Sequence, residues 1–125
     1  MMSRTYIQKM TSKKILKRSA IVLVPFPFTD LTAIKLRPVL VISFYRQDII
    51  VVAISSVVVN YDKKTDIIIQ SGNAGFSRTG LKQSSVIKCA KIATLDTGIV
   101  IGALGAVPLD IQEQVDQKLR AVLEV

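Results

Sequence analysis

Six short runs of branched aliphatic residues constrain the fold of this chain more than any other feature of its sequence. Prolines, glycines or charged residues end each run, and the runs span residues 20–28, 38–44, 49–59, 66–70, 84–89 and 91–95. Runs of this length and composition are typical of buried β-strands. The third run is apolar on both faces for five residues, which predicts a central strand. The glycines of residues 71–80 predict a mobile loop.

The C-terminal part of the chain has the periodicity of a helix. Apolar residues recur at spacings of four, four and three, the stripe of an amphipathic helix, at Ile111, Val115, Leu119 and Val122. Asp110 with Glu113 three residues later predicts a capping box at the start of the helix. Six strands followed by one helix predict a mainly β fold, either a compact β-barrel or a strongly curled sheet, with the helix closing one side.

The net charge of +8 is unevenly distributed along the chain. Residues 1–19 contain six Lys or Arg and no Asp or Glu, so the 11 remaining basic and all 9 acidic residues leave residues 20–125 at only +2. We expect residues 1–19 to form a flexible basic arm, which either attracts polyanions or is only a solvated tail. The length of 125 residues fits one domain, at 20–125.

The cysteine content and the hydropathy of the sequence indicate in which cellular compartment we expect the protein. The single cysteine, Cys89, excludes a disulfide framework within one chain and indicates a reducing compartment, the cytoplasm. Charges and prolines interrupt every apolar run before it reaches the roughly 18–20 residues of a membrane helix, so we expect no membrane association.

The chain contains no histidine, which excludes several catalytic mechanisms. Neither paired imidazoles nor a Ser-His-Asp triad is available, and one cysteine without histidine cannot form a zinc site. The nine acidic residues form no EF-hand loop, and no glycine-rich nucleotide-binding motif occurs. We therefore expect neither a metal nor a cofactor.

The remaining polar groups suit cleavage of RNA by its own 2′-hydroxyl. The substrate supplies the nucleophile, so the protein needs only to orient it and to stabilise charge on the phosphorane. A guanidinium binds phosphate oxygens bidentately, and a hydroxyl can donate a hydrogen bond to a developing oxyanion. Arg37, Ser55 and Ser56 are the candidates. The alternative is structural: a solvated arginine at a strand start and two hydrogen-bonded serines.

Four segments of the chain resemble the MazF/PemK family of toxins. The longest is residues 22–43, VLVPFPFTDLTAIKLRPVLVIS, which is similar to the N-terminal signature of that family. The likeness continues through VVAISS, GLKQSSVI and KIATLD and closes with the terminal helix. It covers about residues 20–123, nearly the whole chain beyond the basic arm.

The resemblance implies a fold and an activity. The fold is a small SH3-like β-barrel with a C-terminal helix, shared with CcdB-like toxins, and it forms a homodimer. Members are metal-independent endoribonucleases that cut single-stranded RNA, often at short preferred sequences, and leave a cyclic phosphate and a 5′-hydroxyl. They act as toxins that inhibit growth and are held inactive by an antitoxin, so the resemblance implies a sequence-selective endoribonuclease. The family's catalytic arginine corresponds to Arg37, which would stabilise the transition state, and its threonine corresponds to Ser55.

The connector after the first strand corresponds to the family's loop beside the active site. Pro25 and Pro27 keep it extended, so that Phe26 and Phe28 point to the same side. These rings could stack on unpaired bases, or they could pack into the core or the dimer interface. We expect the residues that contact RNA to be Phe28, Asp30, Lys35, Ser56, Lys88 and Lys91.

Three departures from the family pattern keep a second hypothesis open. The residues concerned are Ala93, in place of an arginine expected to hold RNA, Ala20, in place of an acid, and Ser55, in place of threonine. Lys88 and Lys91 are close enough in sequence to replace the missing arginine. The alternative is a relative without catalysis that binds RNA or a protein partner. A third possibility is a gyrase poison on the same fold, against which the RPVLVIS motif argues.

Overall fold

The computed structural model of this chain describes residues 16–25 and 35–125. The strands are Ala20–Pro25 (β1), Leu36–Tyr45 (β2), Asp48–Ser55 (β3), Asp66–Ile69 (β4), Ser85–Asp96 (β5) and Gly102–Ala106 (β6). The helices are Phe76–Thr79 (α1) and Leu109–Leu123 (α2), and single 3-10 turns lie at Val58–Asn60 and Thr97–Ile99. No helix within the described residues is both long and apolar enough to cross a membrane.

The six strands form one antiparallel sheet in the order β4-β5-β3-β2-β1-β6. The register shifts where β1 meets β6, where β2 meets β3 and where β3 meets β5. Such irregularities bend a strand and increase its twist, so the sheet curls strongly. The predicted mainly β fold with a C-terminal helix is confirmed, in the form of a curled sheet rather than a closed barrel.

One face of the sheet packs against α2. Its buried cluster includes Ile21, Leu40, Val52 and Ile87, which are all but inaccessible to solvent. Helix α2 contributes Ile111 and Val115, and the partly buried Leu104 and Leu119 pack against the same cluster. Burial of each large aliphatic side chain stabilises the fold by about 1.5–3 kcal/mol.

The other face of the sheet carries a second core. Alternate residues of the central strands point into it, because successive side chains of a strand lie on opposite faces. The cluster consists of Leu16, Ala20, Val22, Val24, Val39, Val41, Ile49, Val51 and Val100. The sheet is therefore buried on both sides, which explains why its strands read as continuous apolar runs.

The end of the basic stretch contacts the domain. Leu16 is buried in the second core, and the Arg18 guanidinium donates to Ile42 O and pairs with Asp116 of α2. Ser19 Oγ donates to Gln112 Oε1 at 2.7 Å. The backbone of Ser19 is left-handed, with φ of 79°. Residues 1–15 lie outside the described residues.

Several sequence-based predictions about single elements are wrong. The third strand ends at Ser55 and not at residue 59, because Val58–Asn60 forms an exposed 3-10 turn. The predicted strands at 84–89 and 91–95 are one strand, β5. The segment 71–80 contains α1, and β6 was not predicted. Helix α2 begins after Pro108, whose side chain makes no cap, instead of at an Asp110 capping box.

Candidate active site around Arg37

The pairing of β2 with β3 brings Arg37 close to Ser55. Val39 lies opposite Ala53, and the same register continued by two residues brings Arg37 level with Ser55. Residues directly opposite each other in an antiparallel pair share a face of the sheet. Both side chains open into a cavity of about 330 Å³ that is lined by Arg37, Ala53, Ile54, Ser55, Val57, Asn60, Lys88 and Lys91. The guanidinium and the hydroxyl therefore share one site.

An irregularity in β5 carries two lysines into the same cavity. Val52 pairs with Ile92, but the next residue, Ala53, pairs with Lys88, so β5 contains three residues that β3 does not match. Lys88 lies opposite Ala53, on the face of Arg37, and Lys91 is exposed within the unmatched part. The bulge thus gathers positive charge where the sequence has no arginine at position 93.

Lys88 is held by the protein. Its Nζ donates to Asp66 Oδ2 at 2.7 Å and to the carbonyl oxygen of Asn60 at 3.1 Å. The Asp66 side chain is 1 % exposed, and that of Lys88 is 19 % exposed. A buried carboxylate needs such a partner, because desolvation of an unpaired charge is costly. Lys88 therefore ties β5 to β4 and to the 3-10 turn at the cavity rim.

Asp66 also orders the segment before β4. Its Oδ2 accepts from the backbone N–H of Asp62 at 2.8 Å, and its Oδ1 accepts from Thr65 Oγ1 at 3.0 Å. Asp62 Oδ1 in turn accepts from the backbone N–H of Lys64 at 2.9 Å. This network fixes the chain between the 3-10 turn and β4. It thereby supports the adjoining turn, which carries Val57 and Asn60 in the cavity wall.

The Ser55 hydroxyl is oriented by the turn that follows it. Ser55 Oγ accepts a hydrogen bond from the backbone N–H of Val57 at 3.1 Å. A hydroxyl has one proton to donate in addition to its lone pairs, so this bond uses an acceptor site of Ser55. The proton of Ser55 is thus directed away from the Val57 amide and can be donated to an anion in the cavity.

A second cavity adjoins the first, and Arg37 lines both. It has a volume of about 450 Å³ and lies on the other side of β2 and β3. It is lined by Leu23, Leu36, Arg37, Pro38, Ile54, Ser56, Gly80, Leu81, Lys82, Gln83, Ser85 and Leu104. Ser55, the last residue of β3, lines the first cavity, and Ser56, the residue after the strand, lines the second.

The structure brings together most, but not all, of the predicted site residues. Arg37, Ser55, Lys88 and Lys91 share one cavity, and Ser56 shares the other with Arg37. Lys35 is exposed and does not line either cavity. The remaining predictions, Phe28 and Asp30, lie outside the described residues, as does Phe26.

Four further polar residues line the cavities and were not predicted as site residues: Asn60, Lys82, Gln83 and Ser85. Asn60 follows a valine run that reads as strand, and Lys82 and Gln83 lie in a loop far from Arg37 in sequence. Contacts between distant parts of the chain bring them to Arg37: Lys88 holds the carbonyl oxygen of Asn60, and the segment of Lys82 and Gln83 follows α1, which packs on β6. No described residue that lines either cavity is acidic. The site therefore has the charge of a binding site for an anion.

A comparison with protein-family models decides which family this arrangement belongs to. The model of the PemK-like, MazF-like toxin of type II toxin–antitoxin systems matches residues 17–123. The chain belongs to this family. The match covers the first core, the second core except Leu16, and every described residue of the Arg37 site. No curated protein sequence matches the chain.

Solved structures share the MazF-like fold. The Mycobacterium tuberculosis toxin MazF-mt6 has 19 % identity and a TM-score of 0.64, with 85 % of this chain and 97 % of that chain covered. The MazE-MazF structure (Form-II) from Deinococcus radiodurans has 17 % identity and a TM-score of 0.68, with 90 % of this chain and 99 % of that chain covered. An endoribonuclease in complex with its cognate antitoxin, from a mycobacterial species, has 16 % identity and a TM-score of 0.65, with 86 % and 94 % covered.

Proposed function

We propose that this MazF-like toxin is a metal-independent endoribonuclease that cleaves single-stranded RNA. The observation that carries the proposal is the shared cavity of Arg37 and Ser55, bordered by two lysines and by no described acidic residue. Arg37 corresponds to the family arginine, and Ser55 keeps a hydroxyl at the family threonine. The chain thus retains both groups despite Ala93.

The reaction proposed is attack of the RNA 2′-hydroxyl on the adjacent phosphorus. The bond from O2′ to phosphorus forms, the bond from phosphorus to O5′ breaks, and the 2′-proton is transferred in net to the leaving 5′-oxygen. The products are a cyclic phosphate and a 5′-hydroxyl. Arg37 stabilises the charge on the non-bridging oxygens, and Ser55 donates a hydrogen bond to one of them. Positioning and charge stabilisation supply the rate enhancement.

Lys88 and Lys91 have different parts in this proposal. Lys91 is exposed and provides a charge for RNA phosphates at the cavity rim. Lys88 adds positive electrostatic potential to the cavity, while its ammonium group donates hydrogen bonds to Asp66 and to the Asn60 carbonyl oxygen. Together they replace the charge that the family arginine would supply at Ala93, which is half-buried in β5 and packs against the second core.

Two protein partners belong to the proposal. The family and two of the similar structures, which are toxin–antitoxin complexes, support a cognate antitoxin as the inhibitor of this chain. The family resemblance supports a homodimer. The exposed apolar residues Val57 and Val59, next to the Arg37 cavity, are suited to contact either partner.

The second candidate function is RNA binding without cleavage. The observation that favours it is Ala93, since a family arginine is absent and Lys88 is engaged with Asp66. Cleavage of a long single-stranded RNA by the purified chain in EDTA separates the two. Cuts at a recurring short sequence, with cyclic phosphate ends, would support the endoribonuclease. Salt-sensitive binding without product, from folded protein free of antitoxin, would support the binding module.

A further inference from the structure

We propose that the second cavity binds the base of the nucleotide next to the cleaved phosphate, and that Gln83 reads that base. The inference rests on the proposed function, because it takes Arg37 as the ligand of the cleaved phosphate. Arg37 lines both cavities, so a phosphate held there has one neighbouring nucleotide in reach of each. The first cavity contains two lysines, Lys88 and Lys91, whereas the second contains one lysine and a larger set of apolar side chains.

The lining of the second cavity has the chemistry of a base site. Leu23, Pro38 and Leu104 provide a partly buried apolar surface for the face of a ring. Ser56 and Gln83, both exposed at the rim, provide a hydroxyl and an amide for the edge of the ring. Unpaired bases are recognised by this combination of apolar contact and hydrogen bonds to their edges. An amide carries both donors and an acceptor, so it can distinguish bases.

The wall that carries Gln83 is rigid although its residues are exposed. Gly80 has φ of +73°, and a Cβ on it would lie 2.2 Å from the carbonyl oxygen of Leu104, so the chain packs directly on β6 there. Thr79 Oγ1 donates to Phe76 O at 2.6 Å and accepts from the backbone N–H of Leu81 at 3.1 Å. The segment is thus fixed before it reaches Lys82.

Two serines fix the same wall on its other side. Ser85, which is 3 % exposed, donates through its Oγ to the carbonyl oxygen of Gln83 at 2.9 Å. Ser84 Oγ accepts from the backbone N–H of Ser71 at 2.9 Å. These bonds hold the backbone of the segment at both ends, so the Gln83 side chain starts from a fixed point at the cavity rim, which favours discrimination between bases.

The test compares the cut-site profile of wild type with those of Gln83→Ala and Ser56→Ala on one long single-stranded RNA. Gln114→Ala is the matched control, since Gln114 lines a separate cavity of about 290 Å³ beside α2. We expect Gln83→Ala to reduce the preference at one position next to the cut by about tenfold, while cleavage continues. We expect Ser56→Ala to act at the same position and Gln114→Ala to have the wild-type profile. Wild-type profiles from both cavity variants would overturn the proposal.

A second measurement separates this proposal from the proposed function. Binding of 2′-O-methyl oligoribonucleotides that differ at one position is measured for wild type and Gln83→Ala. Wild type that leaves the long RNA uncut would contradict the proposed nuclease. If the same wild type discriminates between bases in the binding assay and Gln83→Ala does not discriminate, the cavity proposal is still supported. Equal discrimination by both proteins, or none by wild type, overturns the cavity proposal. Sedimentation of wild type and Gln83→Ala is measured in parallel. If Gln83→Ala changes only the self-association of the protein and not its discrimination between bases, a second copy of the chain occupies the cavity and the proposal is overturned.

Discussion

Lys88 Nζ lies 2.7 Å from Oδ2 of Asp66, and this ion pair joins the candidate active site to the edge of the sheet. The two residues face each other across β4 and β5. The pair fixes the turn that contains Asn60, and with it one wall of the Arg37 cavity. The structure therefore indicates that Lys88 positions the cavity wall. The sequence alone indicates only a positively charged side chain near the site.

Asp66→Asn is expected to destabilise the fold by about 2–3 kcal/mol, because it leaves the half-buried Lys88 charge without its counter-charge. Urea unfolding followed by circular dichroism measures the free energy of unfolding. Glu113→Gln, an exposed change of the same kind on α2, is the control and should shift it by less than about 0.5 kcal/mol. Equal effects of the two variants would show that the ion pair contributes no special stability.

Lys91→Gln is expected to weaken RNA binding for all sequences alike, because we propose Lys91, at the rim of the first cavity, as a phosphate contact. Its plot of log affinity against log salt concentration should be shallower than that of wild type by about 0.7, the value for one contact to a single strand. Titrations of a 2′-O-methyl RNA at several salt concentrations measure this slope. Lys64→Gln, which lies beside α2, should keep the wild-type slope. An unchanged slope for Lys91→Gln would remove Lys91 from the RNA site.

Gly105→Ala is expected to destabilise the fold by about 3 kcal/mol, because a Cβ at this position would lie 2.0 Å from the carbonyl oxygen of Arg78. The same strand offers a matched control in Gly102, whose added Cβ would meet nothing within 4 Å. Thermal unfolding should show Gly102→Ala close to wild type. Similar losses in both variants would contradict the close approach of α1 to β6 as the cause of the effect.

The Cys89 thiol is expected to make stability fall above pH 9. Burial, and to a smaller extent the Asp66 carboxylate, raises the pKa of Cys89 from 9.0 to about 12. The unfolded chain therefore loses this proton first as the pH rises, which favours unfolding by at most about 1.4 kcal/mol per pH unit between the two pKa values. Urea unfolding at pH 8–11 should show a steeper fall for wild type than for Cys89→Ala. Parallel curves would contradict the raised pKa.

The sequence predicted the mainly β fold, because alternating and continuous apolar runs mark the strands. It also offered Arg37 and Ser55 as candidate site residues, and the structure places both in one cavity, while their roles remain a proposal. Strand β6, in contrast, consists of Gly102–Ala106, residues of low strand propensity that become a strand only by pairing with β1. Its pairing partner is about 80 residues away, so no local window contains the signal.

The parts of the site that the sequence did not predict depend on distant contacts. The bulge in β5 exists only relative to its partner β3, and a single strand cannot show it. Lys82 and Gln83 reach Arg37 through the packing of α1 on β6, which the glycines at 80 and 105 allow. Ser19 is a similar case, since its hydrogen bond to Gln112 joins two residues that are 93 positions apart in the chain.

The most direct test of the account is the single-turnover cleavage rate of Arg37→Gln on single-stranded RNA in EDTA. Arg46→Gln is the control, because Arg46 is exposed in the turn at the opposite end of β2. Loss of a group that stabilises transition-state charge costs a factor of about 10²–10³ or more. We predict such a loss for Arg37→Gln, with wild-type unfolding behaviour, and a wild-type rate for Arg46→Gln. Cleavage by Arg37→Gln at the rate of Arg46→Gln would contradict the assignment of Arg37 as the catalytic residue.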